Sequence, residues 1–184
     1  KALLAKAGFK DGRGLPELRM DMRGADTFNR RLGEFFKDQF ARIGLRLRVI
    51  YNTFPVYIDK LRKAELQISY SGWGMDYPDA ENVYQLLYGR NVPPGSNDSC
   101  FDHPEMNRLY SQMSRMEAGS ARAKLIARMD QILQEEMPWA LGYYHADYHL
   151  MQPWLLNYRG TEVIANKYKY VRINREAKQR YLES

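Results

Sequence analysis

Between Leu18 and Ser71 the spacing of apolar residues changes period four times, and that alternation restricts the chain to few folds. Leu18, Met20 and Met22 alternate with Arg19 and Asp21, the pattern of a half-buried strand. Phe28, Leu32, Phe35, Phe36, Phe40 and Ile43 then recur at helical spacing over residues 27–43, and Gly44 stops the run. Leu45, Leu47, Val49 and Tyr51 restore alternation, with Arg46 and Arg48 outward. Residues 54–64 form a second helix, with Thr53 as a candidate cap and Pro55 in its first turn. Leu66, Ile68 and Tyr70 open a third strand. Strand, helix, strand, helix, strand predicts right-handed crossovers and an α/β fold with a mainly parallel central sheet flanked by helices.

The flanking parts are simpler. Residues 2–9 read as a short helix ended by Gly8, followed by a loop. A loop rich in Gly and Pro at 89–99 leads to a helix from Pro104 to about Glu117, and a second begins at Ser120, a candidate cap. These two helices are expected to pair and cover the sheet. MPWALGYYH, residues 137–145, reads as a buried strand, Gln152 to Trp154 as an aromatic corner, and Tyr168–Ile173 as a last strand before a charged helix.

The formal charge of +6 raises nucleic acid or an anionic membrane as a partner. The basic residues are scattered from Lys1 to Arg180, and no nucleic-acid motif accompanies them, so a solvated basic surface is expected and no nucleic-acid partner. Cys100 is the only cysteine, which excludes an internal disulfide. His145 and His149 lie four apart, a ligand spacing only on a helix, but their surroundings read as strand and turn; neither metal nor cofactor is expected. The sequence has no apolar run of transmembrane length.

The chemistry concentrates in LQISYSGWGMDYPDAEN, residues 66–82. The third strand carries Trp73 and Asp76 to its carboxyl end, where ligands sit in open α/β sheets. Asp79 is placed to cap a helix bearing Val83, Leu86 and Leu87. On spacing alone, Asp76 ahead of Tyr-Pro is an ordinary turn former, and Trp73 is either a core residue or a ligand face.

GWGMDYPDAEN, followed by LYGRNVPPGSND and FDHPEMNRLY, resembles the C-terminal lobe of the extracellular solute-binding proteins of family 5, the oligopeptide- and dipeptide-binding group of ABC importers. The similarity runs from ALLAKAGFKDGRGLPEL to QPWLLNY. It implies a periplasmic-binding-protein-like lobe (type II, cluster C), with residues 1–157 as the ligand-binding lobe and 158–184 as a tail returning towards a missing N-terminal lobe. Lys1 is then internal to a longer protein. In peptide-binding members the Asp three residues after this Trp pairs with the ligand α-ammonium, which places Trp73, Gly74 and Asp76 at the ligand. Gly74 leaves room for close backbone approach. The partners implied are a peptide or other small solute (nickel chelate, haem, sugar and opine carriers also occur in the family) and the permease subunits. The protein is expected to be monomeric, and periplasmic or a membrane-anchored lipoprotein.

Two other classes are weighed against this. An α/β enzyme acting on a small polar substrate should carry G-x-G-x-x-G, G-x-S-x-G or a P-loop, and none occurs. Cys100 with His103 is a weak nucleophile and base pair, so no catalytic residue is expected. A basic interaction module rests on charge alone.

Overall fold

The computed structural model describes residues 1–144, 146, 148–160, 166 and 168–183. Strands β1 (Leu18–Met22), β2 (Leu47–Tyr51) and β3 (Ile68–Ser69) form one sheet in the order β2-β1-β3, with both pairings parallel. Leu18 faces Leu47 and Met22 faces Tyr51 on one side of β1, while Met20 faces Ile68 on the other. A short helix α1 (Ala2–Lys6) precedes the sheet, and helices α2 (Thr27–Arg42) and α3 (Phe54–Arg62) make the two crossovers. The expected parallel α/β architecture is therefore present, with the third strand shortened to two residues.

Helix α2 begins where Asp26 accepts a hydrogen bond from the Asn29 amide, and packs Leu32, Phe36 and Phe40 on Met20, Met22 and Leu47. Gly33 sits against Tyr51 and Val49 so closely that a Cβ would lie 2.4 Å from the Tyr51 hydroxyl. Phe28 and Phe35, expected inward, are exposed on the flank of this face. Thr53 precedes α3 without a side-chain capping bond, and Pro55 occupies its first turn as expected.

Asp21 was expected to point outward from β1, yet it is only 4% exposed. Its carboxylate takes Lys60 Nζ at 2.9 Å and Asn52 Nδ2 at 2.9 Å, and Lys60 also donates to Asn52 Oδ1 at 2.8 Å. A buried carboxylate is tolerated because it is paired and hydrogen-bonded. The network ties α3 to the middle strand.

A second core lies in the helices after the sheet. Helix α4 (Glu81–Tyr84) continues into a short turn of 3-10 helix, and α5 (Pro104–Met113) and α6 (Ser120–Glu136) pack against it. Tyr84, Leu87, Met106, Leu109, Met113, Met129 and Ile132 are its buried members. The helix pair thus packs on the segment after the ligand motif rather than over the sheet, whose own cluster includes no residue of α5 or α6.

Residues 137–144 form no strand; the chain leaves α6 through Met137 in the left-handed region and runs irregularly and largely exposed. A strand requires a neighbour for its backbone groups, and among the described residues none lies alongside. His145 falls outside the described residues. Beyond it, β4 (Leu155–Leu156) pairs antiparallel with β5 (Arg172–Ile173), and α7 (Arg175–Leu182) lays Tyr181 edge-on to Trp154. The last strand is thus two residues long, since Tyr168–Tyr170 form a turn.

Lys60→Met should destabilise the chain by about 1.5–3 kcal/mol, because it removes a charged donor from a buried carboxylate that keeps only Asn52. Urea denaturation at neutral pH measures this, and Asp21→Leu combined with Lys60→Met should cost less than the two single changes added together.

Candidate functional site

The strand order β2-β1-β3 places a topological switch point between β1 and β3, because the chain leaves β1 towards one side and returns to the other. Crevices at the carboxyl ends of such strands hold ligands. Arg23 follows β1 there, and Tyr70 to Asp76 follow β3.

After Tyr70, whose amide donates to Asp21 O at 3.3 Å, the chain ceases to pair. Among the described residues, no backbone group of 71–75 is hydrogen-bonded within the protein. A Cβ at Gly72 or Gly74 would meet open space. The loop therefore presents free amides and carbonyls beside an edge strand, the requirement for an extended peptide to add as a further strand. Trp73 is 47% exposed, with its indole N–H donating to Asn82 Oδ1 at 2.8 Å. The Asp76 amide donates to the same oxygen at 3.2 Å, while its exposed carboxylate has no partner among the described residues.

Three further anchors hold this loop from behind. Asp79 accepts from the Glu81 amide at 2.8 Å, although the formal helix cap is Ala80. Arg122 of α6 grips the Asp79 carboxylate with two guanidinium nitrogens, at 2.8 and 2.6 Å. Glu81 accepts from the hydroxyls of Tyr77 and Tyr110, and Asp130 accepts from that of Tyr84. The Arg122 guanidinium, then the Glu81 amide, hold the Asp79 carboxyl below the usual range. Burial, then the bond to Asp130, pushes the Tyr84 hydroxyl up.

The floor of the crevice is aromatic. Tyr57 of α3 is buried and donates to Tyr70 O at 3.1 Å, and the Tyr70 hydroxyl meets that of Tyr143 at 2.6 Å. Burial, then the bond to Tyr143, pushes Tyr70 up to about 12. Burial also raises the Tyr57 hydroxyl, and the Arg23 charge opposes the rise at both Tyr57 and Tyr70. Arg23 is exposed and has no counter-ion among the described residues. Sequence reasoning missed Arg23, Asn82 and Arg122; a lone cation directly after the central strand was the available signal for the first.

Other candidates fall away from this crevice. Cys100 is exposed, and His103 caps α5 by accepting from the Met106 amide at 3.3 Å. His149 lies on Tyr158 with ring centres 5.6 Å apart. Among the described residues, no group of three or more His, Cys, Asp or Glu could hold a metal, and no helix is long and apolar enough to cross a membrane.

Residues 1–93 match the model of the bacterial extracellular solute-binding proteins, family 5 Middle. The chain belongs to this family. It is 26% identical over 145 residues to the oligopeptide-binding protein OppA of Bacillus subtilis, and 25% identical over 139 residues to a di/tripeptide-binding protein of Pseudomonas aeruginosa. These alignments cover 78% and 75% of the chain but 26% of each relative, so the chain spans about a quarter of their length. The structure of DppA from Helicobacter pylori in complex with the peptide STSA superposes with a TM-score of 0.76 at 19% identity, over 94% of this chain and 33% of that one. The fold is thus that of a family 5 binding protein.

Asp79→Asn tests the anchor to α6. A carboxyl lowered in the folded state stabilises above its unfolded value, near about 3.9, and loses that contribution as pH falls through the folded value. The melting temperature of Asp79→Asn should therefore lie below wild type at pH 7, and the gap should close as pH falls below about 4.

Proposed function

We propose that this chain is the peptide-holding lobe of a substrate-binding protein that delivers short peptides to an ABC importer. The carrying observation is that, among the described residues, the backbone of 71–75 is unpaired and the neighbouring Asp76 carboxylate has no partner, at the carboxyl end of a parallel sheet. A peptide strand laid along this loop satisfies those amides and carbonyls. Its α-ammonium meets Asp76, and its carboxylate meets Arg23 at the end of β1. Trp73 offers an apolar face to a side chain between them. Desolvated ends of a zwitterion need opposite charges and hydrogen-bond partners, and these residues supply both signs. The role is capture and release, without catalysis or a resident cofactor. Placement outside the cytoplasmic membrane, a monomeric state and docking on the permease subunits follow from the same reading.

Haem is the second cargo considered, because heme-binding protein A of Haemophilus influenzae is 25% identical over 140 residues. Free strand-edge groups and an exposed carboxylate favour a peptide. A haemin titration that saturates while trialanine gives no heat would reverse that choice.

In this reading a second lobe packs over the loop 71–76 and completes the site. Leu141, Tyr144, Tyr148 and Leu150 project into solvent, Tyr144 and Leu150 almost completely. These residues, together with the described parts of the tail, 158–160 and 168–183, seat the second lobe in this reading. Amide exchange at residues 139–142 and 148–151 should be fast in this chain and slow in the longer protein carrying both lobes.

Asp76→Asn in that longer protein keeps the side-chain shape and removes the charge. Trialanine affinity, read by calorimetry, should fall roughly a hundredfold or more, the usual cost of breaking one side of a desolvated pair. The melting temperature without ligand should hardly move. N-acetyl-trialanine should bind wild type as poorly as trialanine binds the variant; equal losses from acetylation in both proteins would remove Asp76 from the ammonium site.

A further inference from the structure

Asn82 lies on α4, behind the ligand-facing loop, and is 1% exposed. Its Oδ1 takes two donors from that loop, the Trp73 indole and the Asp76 amide, at 2.8 and 3.2 Å. Only an oxygen can accept from two N–H groups, so the amide orientation is fixed by its partners. Its own backbone is held in turn, the amide by Asp79 O at 3.0 Å and the carbonyl by Gln85 Nε2 at 3.3 Å. The neighbouring Tyr77 hydroxyl is held by Glu81 of the same helix. One buried side chain thus reaches two residues of the loop, Trp73 and Asp76, from a helix that is itself anchored to α5 and α6 through Glu81 and Tyr84.

The economy of this arrangement matters for binding. An isolated loop could be made rigid by bonding its own backbone groups to one another, but those groups would then be lost to a ligand. Here the loop is held by one indole N–H and the single amide of Asp76, while the backbone of 71–75 stays free. The Trp73 ring and the start of the Asp76 residue are fixed relative to each other by a shared acceptor. A site held before ligand arrives loses less freedom on binding.

We propose that Asn82 is the positioning residue of the ligand site, holding the Trp73 indole and the Asp76 backbone in register through one shared carbonyl oxygen so that the loop between them is ready to pair with a peptide strand. The ligand class rests on the function proposed above; the positioning itself does not.

The three tryptophans, Trp73, Trp139 and Trp154, give three indole N–H resonances, assignable by single Trp→Phe changes. In the wild-type chain without ligand, the Trp73 indole and the Asp76 amide should exchange slowly for groups so near the surface. Asn82→Leu should speed both by about fivefold to tenfold, as loss of one hydrogen bond each implies, and leave the Trp154 indole unchanged. Asn82→Asp retains an acceptor oxygen and should restore protection at both. Trp73→Phe should leave the Asp76 amide protected. Should Asn82→Leu fail to fold, the wild-type rates still decide: a Trp73 indole exchanging as fast as a free indole overturns the assignment. So does parallel acceleration at Trp154 in Asn82→Leu, or an Asn82→Asp chain that behaves like Asn82→Leu, since either marks a merely structural residue. In the longer two-lobed protein, Asn82→Leu should weaken trialanine binding about tenfold or more while Asp76 is intact, and undiminished affinity overturns the positioning role. Absence of trialanine binding to the wild-type protein would instead defeat the peptide reading and leave the exchange results to stand for Asn82.

Discussion

The carboxylate of Asp21 is the interaction on which the sheet end depends. It sits inside the middle strand, where an ionised group is costly unless it is paired and hydrogen-bonded. Lys60 arrives from α3 and Asn52 from the end of β2, so the charge fastens the second crossover to the first strand. The backbone of the same residue accepts from Tyr70 and so defines where β3 stops pairing. Arg23 and the loop after Tyr70 emerge at one edge because Asp21 holds both strand ends there.

A second set of anchors works from the opposite direction. Asp79, Glu81 and Tyr84 follow the ligand motif within a few residues, and each is tied to α5 or α6 by a charged or phenolic pair. The loop 71–78 therefore spans two hydrophobic clusters, one under the sheet and one among the helices. Neither cluster contains Trp73 or Asp76. The site lies on the seam and borrows its rigidity from both sides, which is why it needs few bonds of its own.

The parts legible in the sequence were those governed by periodicity. Alternation at 18–22 and 45–51, with helical spacing between, leads to parallel pairing, and the third strand, shortened to Ile68–Ser69, is visible in the same way. The burial of Asp21 was not legible, since an acid on the polar parity of a strand looks solvated until Lys60 and Asn52 are brought beside it by folding. Asn82 was hidden for a similar reason: its partners are six and nine residues away across a turn with no periodic pattern. The stretch 137–144 misled in the other direction. Its apolar residues suit a strand, but strand formation needs a ladder partner, and apolar composition carries no information about whether one is near.

The long-range anchor from Arg122 to Asp79 joins residues 43 positions apart, and Tyr84 to Asp130 joins residues 46 apart. All strands of the parallel sheet, by contrast, are complete by Ser69. Chains are synthesised from the amino terminus, and domains tend to organise in that order. A nascent chain that has just completed its sheet still lacks the guanidinium and carboxylate that clamp residues 79 and 84. The ribosome adds α6 before those clamps can close, so the loop 71–78 is set later than the sheet from which it emerges.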